Sequence, residues 1–242
     1  MIWALHGAVG MEADWNQFAE VMGTSGREVK GVDLWQFVEK EGCSFEEFGV
    51  RFCQRVRAED QEPILLGYSL GGRLALHALL EDSAMWRAAV IVSAHPGLQD
   101  DEARVLRMAS DAHWAGRALV GSWDRFLQDW NAQGILKSEH PTALMERKGL
   151  ESRRAALATG LMEWSLGKQD DLRPRLGEIG CPLLWLSGER DSKFGALAAE
   201  SVSLLSKGVH EIVRGVGHRV PWEASEDFSR AVDGFLSKLK RT

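Results

Sequence analysis

Short apolar runs alternate along this chain with segments long enough to form helices. The runs Ile2 to Leu5, Val29 to Asp33, Pro63 to Leu66, Ala88 to Ser93, Leu183 to Ser187 and Val209 to Val213 predict strands. Most of them end on, or run into, Gly, Ser, Asp or His, residues that stop strands and turn the chain. Strands alternating with helices predict an α/β fold: a mostly parallel sheet flanked by helices, with ligands bound at the carboxyl ends of the strands. In the closing segment Phe228, Val232, Phe235 and Leu239 recur at spacings of four, three and four, the apolar stripe of a helix laid on the sheet. Between about Leu98 and Arg175 the alternation stops, and Ala, Leu, Arg and Trp dominate. That stretch predicts consecutive helices, a lobe over 98–175 inserted between the core segments 1–97 and 176–242.

Composition narrows the partners. With 35 acidic against 29 basic side chains in 242 residues, a net charge of -6, the chain lacks the basic face that phosphate backbones require, so no nucleic acid is expected. The N-terminus has no basic segment ahead of an apolar one, so no secretory signal is expected. No apolar run approaches the ~20 residues of a membrane span, so no membrane partner is expected either. Cys43, Cys53 and Cys181 are odd in number and form no C-x-x-C pair. Free thiols in a reducing cytoplasm fit them better than disulfides or a structural metal site. Nothing here sets the oligomeric state, and a monomer is compatible with all of it.

The chemistry begins at Gly67-Tyr68-Ser69-Leu70-Gly71-Gly72, directly after one predicted strand and before the helix-compatible run from Arg73 to Leu80. A G-x-S-x-G in that context is a nucleophile elbow, in which flanking glycines let the backbone turn sharply and expose the serine hydroxyl at the sheet edge. Such a serine needs a histidine base and an orienting acid, in the chain order Ser, acid, His. Asp191 follows the strand Leu183 to Ser187, and His218 follows Val209 to Val213, which makes Ser69, Asp191 and His218 the candidate triad. Glu189 is the alternative acid. His77, His113, His140 and His210 sit in helical or strand contexts without a partner pattern and read as packed or solvated. After the first strand, His6-Gly7-Ala8 predicts a turn whose Ala8 N–H joins that of Leu70 as an oxyanion hole. His6 itself reads as structural.

Three strings carry a family resemblance: Leu66-Gly67-Tyr68-Ser69-Leu70-Gly71-Gly72-Arg73, then His95-Pro96-Gly97-Leu98-Gln99-Asp100, then Gly188-Glu189-Arg190-Asp191-Ser192-Lys193-Phe194. With them the chain resembles the α/β-hydrolases, and more narrowly the 2-succinyl-6-hydroxy-2,4-cyclohexadiene-1-carboxylate (SHCHC) synthases of menaquinone biosynthesis. The resemblance implies an α/β-hydrolase fold shortened at its N-terminus, with a helical cap. It implies a lyase that eliminates pyruvate from 2-succinyl-5-enolpyruvyl-6-hydroxy-3-cyclohexene-1-carboxylate, the triad serving as base, without metal or organic cofactor. The partner would be a small carboxylated substrate. Its three carboxylates need local cations, and residues 103–125 hold four arginines against two aspartates. Arg107 matches the resembled pattern as a carboxylate ligand, Tyr68 as the elbow tyrosine and Trp130 as a pocket tryptophan. A second arginine falls near Arg147, not separable from Arg153 and Arg154. Two readings of other classes stand beside the lyase: a carboxylesterase or carbon-carbon bond hydrolase with Ser69 as covalent nucleophile, and a non-catalytic receptor. Of the ten tryptophans, Trp86, Trp164 and Trp185 read as core, and Trp222 as a residue near His218.

Overall fold

The computed structural model describes residues 1–39, 42–138 and 147–239. Six strands, β1 (Ile2–Leu5), β2 (Val29–Val32), β3 (Ile64–Tyr68), β4 (Ala88–Val92), β5 (Leu183–Gly188) and β6 (Gly208–Val213), form one sheet in the order β2-β1-β3-β4-β5-β6. Every neighbouring pair is parallel. β3 runs two residues past the predicted Leu66, because Gly67 and Tyr68 stay in register with Ile91 and Val92. Seven helices matter to the site and its supports: α1 (Asn16–Thr24), α2 (Phe45–Glu59), α3 (Leu70–Glu81), α4 (Asp101–Val120), α5 (Trp123–Asn131), α6 (Arg154–Glu163) and α7 (Ser192–Ser203). A short α8 (Val220–Glu223) and a closing α9 (Ser225–Lys238) follow.

Central strands are apolar at nearly every position because parallel sheets are covered on both faces, and the side-chain period of two sorts them. Trp3, Leu5, Leu65, Ile91, Leu183 and Trp185 point to the face covered by α2 and α3. Ile2, Ala4, Ile64, Leu66, Val90, Val92, Leu184 and Leu186 point to the other, where Phe18 and Met22 of α1 meet Phe228 and Val232 of α9. Phe228 and Val232 of the predicted stripe are buried and Phe235 packs against them, while Leu239 lies just past the helix end. The stretch from Leu98 to Arg175 holds α4, α5, α6 and short 3-10 turns, with no strand among its described residues. Its Trp123, Phe126, Leu157, Leu161 and Trp164 are continuous with the core on the α2 and α3 face. These residues therefore share one apolar foundation with the sheet. Two long helices begin on side-chain caps: Ser44 and Glu47 close a reciprocal capping box on α2, and Asp100 accepts from the Ala103 N–H at the start of α4.

Candidate active site

Ser69 stands between β3 and α3 with φ 52° and ψ −109°, a conformation rarely adopted by a residue with a side chain. The turn closes because its neighbours lack side chains. A Cβ on Gly71 would lie 2.3 Å from the Leu5 carbonyl oxygen, and one on Gly67 2.4 Å from that of Gly71. Gly72 is tight against Ala94 in the same way. These contacts bring α3 close over β1 and β3 and lift the Ser69 hydroxyl to the sheet edge.

His218 reaches Ser69 from the loop after β6. Its Nε2 lies 3.2 Å from Ser69 Oγ and its Nδ1 2.7 Å from Asp191 Oδ2. The acid and base loops are knitted together by backbone bonds from Glu189 N–H to Val213 O and from Arg190 N–H to Val216 O. A Cβ on Gly188 would sit 2.1 Å from the Gly217 oxygen, so the glycine at the end of β5 is what lets the two loops touch. Glu223 then fixes the His218 loop by accepting from the Gly217 and Arg219 N–H groups. Glu189, the alternative acid, instead accepts from the Gly215 N–H. His218 and Asp191 are both buried, and the Phe194 ring packs on the imidazole with centroids 4.6 Å apart.

The two candidate oxyanion donors have separate origins. The Leu70 N–H is the first of α3, with no partner within the helix and the helix dipole behind it, and Leu70 lines the same cavity as Ser69. Ala8 is aimed by His6. The Leu34 N–H donates to His6 Nε2, so the proton sits on Nδ1, which donates to the Gly7 carbonyl at 2.9 Å. The Gly10 N–H holds the same carbonyl at 3.0 Å. Because the Gly7–Ala8 peptide is trans and planar, a carbonyl pulled inward turns the Ala8 N–H outward. Burial keeps His6 neutral, its pKa pushed down to about 4, so this tautomer persists at neutral pH.

Two cavities meet over Ala8. The larger, about 160 Å³, holds Ser69, Leu70 and His218 with Arg73, Arg107, His95 and Trp130. The smaller, about 40 Å³, lies beside Tyr68 and holds Asp14, Arg147, Arg219 and Trp222, with Trp130 shared between the two. Arg107 gives its Nε to Asp111 at 2.8 Å and is otherwise half exposed. Of the three neighbouring arginines, Arg147 lines the smaller of these two cavities. Its guanidinium grips both Asp14 oxygens, at 2.7 and 2.8 Å, and its Nε donates to the Val9 carbonyl. Arg153 pairs with Asp33 and Glu39, and Arg154 with Glu151 and the Gly121 carbonyl. Tyr68 packs edge-on against Trp222 at 4.7 Å and lies 5.6 Å from the His218 ring, and burial raises its phenol pKa.

The other histidines have other duties. His77 stacks on Phe45 and stays neutral, its pKa pushed down to about 4 by burial and by Arg73. His210 bonds Ser187, and His113 packs edge-on against Trp114. His140 lies outside the described residues. Trp86, Trp164 and Trp185 are core.

Sequence reasoning passed over Arg73, although it ends the elbow string. It is buried, donates to the Trp164 carbonyl and lines the triad cavity. Burial first, then Arg107, push its pKa down to about 9, which leaves it charged at neutral pH. Asp14 and Arg219 also went unnoticed. Asp14 lies in a segment without a motif, whereas Arg219 directly follows the base. Among the described residues, no helix is long and apolar enough to cross a membrane, and no group of three or more His, Cys, Asp or Glu side chains is placed to hold a metal.

A family model described as alpha/beta hydrolase matches residues 5–231. The chain is 36% identical over 177 residues to a 2-succinyl-6-hydroxy-2,4-cyclohexadiene-1-carboxylate synthase of Klebsiella pneumoniae, a match covering 72% of this chain and 67% of that one. It is likewise 36% identical over 159 residues to the synthase of that name from Salmonella paratyphi B, covering 64% of this chain and 60% of that one. The matches thus span about two thirds of the relatives' length. In fold the chain is similar to the structure of MenH from S. aureus, with a TM-score of 0.89 at 24% identity over 99% of this chain and 94% of that one.

Proposed function

The chain belongs to the alpha/beta hydrolase family, and from that premise we propose that it is a carbon-oxygen lyase of menaquinone biosynthesis. It eliminates pyruvate from 2-succinyl-5-enolpyruvyl-6-hydroxy-3-cyclohexene-1-carboxylate to give SHCHC. The observation that carries the reading is the union, in one cavity, of the Ser69–His218–Asp191 relay with the guanidinium groups of Arg73 and Arg107. Relatives bearing the synthase name support it.

The chemistry follows from the parts. A ring C–H beside the succinyl ketone is acidified by that carbonyl. Ser69, its proton drawn toward His218, takes this hydrogen as general base, and Asp191 steadies the imidazolium that forms. Charge moves onto the ketone oxygen, where the Ala8 and Leu70 N–H groups are aimed. The electron pair then shifts through the ring double bond and expels the enolpyruvyl oxygen. The departing enolate takes up a proton to become pyruvate, and the ring keeps the conjugated diene. Arg73 and Arg107 meet carboxylates of the substrate, a trianion that the chain's net charge of -6 would repel without local cations. The base, the donors and the cations all come from the chain, so the reading requires no metal or organic cofactor. It takes a small carboxylated molecule as the partner and the cytoplasm as the setting.

Purified protein given the enolpyruvyl substrate is expected to release pyruvate in step with diene absorbance. Ser69→Ala should lower the rate by about 10³-fold or more. Undiminished turnover in that variant would remove Ser69 from the mechanism. Ester cleavage with a covalent acyl burst and no diene would instead establish a serine hydrolase.

A further inference from the structure

The string His95-Pro96-Gly97 has no part in the mechanism above, yet the fold goes to some length to hold it. It follows β4, and four polar groups in it are engaged with the chain. The His95 carbonyl accepts from Gln169 Nε2 at 3.1 Å, the Pro96 carbonyl from the Leu172 N–H at 2.8 Å, and the Gly97 carbonyl from Arg173 Nη1 at 3.0 Å. The Gly97 N–H donates to His95 Nδ1 at 3.1 Å. Gly97 itself has φ 124°, and a Cβ there would lie 2.2 Å from the Asp170 oxygen, so the turn has one available shape.

The His95 side chain has one group left over. Since Nδ1 accepts, the imidazole proton is on Nε2, and this N–H has no hydrogen-bond partner among the described residues. The side chain belongs to a residue only 5% exposed and lines the cavity that holds Ser69, His218, Arg73 and Arg107. In the strand order β1-β3-β4, Ala8 follows the strand on one side of the elbow and His95 the strand on the other. The site is therefore flanked by donors on both sides. This nitrogen is reached from the cavity and is not sealed in the core, so a ligand held there can supply the acceptor that the chain does not.

We infer that His95 is a substrate-contacting residue whose Nε2–H donates to a carboxylate oxygen held in the same cavity by Arg73 and Arg107. The inference rests on the proposed function for the identity of that carboxylate. A carboxylate has about four lone-pair positions, and Arg107 already shares its guanidinium with Asp111, so a neutral donor completes the ligation without a third cation. Neutrality is secured by burial and by the positive charges of Lys193 and Arg173, with the pKa pushed down to about 3. His95 consequently donates and does not exchange protons at neutral pH.

Two substitutions separate a binding role from a purely structural one. In His95→Asn the amide oxygen takes the place of Nδ1, keeping the Gly97 bond and losing the cavity donor. In His95→Gln the amide nitrogen takes the place of Nε2, keeping the donor and losing the turn bond. We expect His95→Asn to raise KM for the enolpyruvyl substrate about tenfold with a thermal midpoint near that of wild type. His95→Gln should hold KM within about threefold even if its midpoint falls. The pH profile of kcat should keep its shape in both. KM unchanged in His95→Asn, or rising only in the variant with the lower midpoint, would overturn the inference. Should wild type release no pyruvate, the proposed function falls. The inference is then decided by titrating 15N-histidine-labelled protein with a benzoate carrying a succinyl side chain: a shift of the His95 Nε2 resonance supports it, and no shift refutes it.

Discussion

Ser69 occupies a backbone conformation that costs roughly 1–3 kcal/mol for a residue with a side chain, and it does so only because β3, α3 and three glycines leave no other path. Strain of this kind is stored for function, so removing the side chain should return it. Ser69→Gly is expected to raise the thermal midpoint, by a few degrees in calorimetry, while abolishing activity; an unchanged or lowered midpoint would mean that the elbow is not strained. His6 acts one bond further out. It touches no reacting atom, yet through the Gly7 carbonyl it sets the direction of the Ala8 N–H. His6→Phe fills the same space beside Trp35 without either hydrogen bond. It should lower kcat about tenfold to a hundredfold with KM little changed, since an oxyanion donor stabilises charge that exists only in the transition state. A rise in KM alone would place His6 in binding instead.

Among the elements, α3 makes the closest approach: its second residue, Gly71, rests on the backbone at the end of β1. Gly71→Ala puts a methyl group within 2.3 Å of a carbonyl oxygen that cannot move without breaking the sheet. The expected result is a loss above about 4 kcal/mol, read as insoluble or unfolded protein. Gly116 offers the opposite case. It lies within α4 with nothing within 4 Å of its missing Cβ, so Gly116→Ala should stabilise by about 0.5–1 kcal/mol in denaturant unfolding. If both variants behaved alike, close packing would not be what fixes the elbow. The Asp14–Arg147 pair works at this scale too, joining the turn before α1 to the segment entering α6 beneath the oxyanion loop. Burial raises the Asp14 pKa, and the Arg147 charge holds part of that rise back.

For the molecule as a whole, three buried histidines set how stability responds to acid. Burial pushes His6 and His77 down to about 4 and His95 to about 3, from 6.5 in the open chain. Unfolding therefore takes up protons below pH 6.5. Their contribution is intact above that value and is lost as pH falls toward 4, at up to ~1.4 kcal/mol per pH unit for each. Chemical denaturation between pH 7 and 4.5 should show a falling midpoint, and a flat profile would mean that these rings are hydrated.

Much of this was legible in the chain itself. The six strands, the elbow, the order serine, acid, histidine and the helical nature of 98–175 are local patterns, set by side-chain period and by glycines whose backbone freedom does not depend on distant residues. Asp191 was legible as the acid, with Glu189 only its alternative, but Arg147 over Arg153 or Arg154 was not, because an offset of six or seven residues is decided by which loop touches which. Arg73, Asp14, Arg219 and the free face of His95 were hidden for the same reason. A buried charge or an unpartnered donor is defined by what surrounds it, and only the packing of the sheet and its helices brings those surroundings together. The sequence by itself determined which residues are able to do chemistry, since functional groups and backbone freedom are properties of residues. The tertiary structure decided which of them face a common cavity, since distance, burial and pairing are properties of the packed chain.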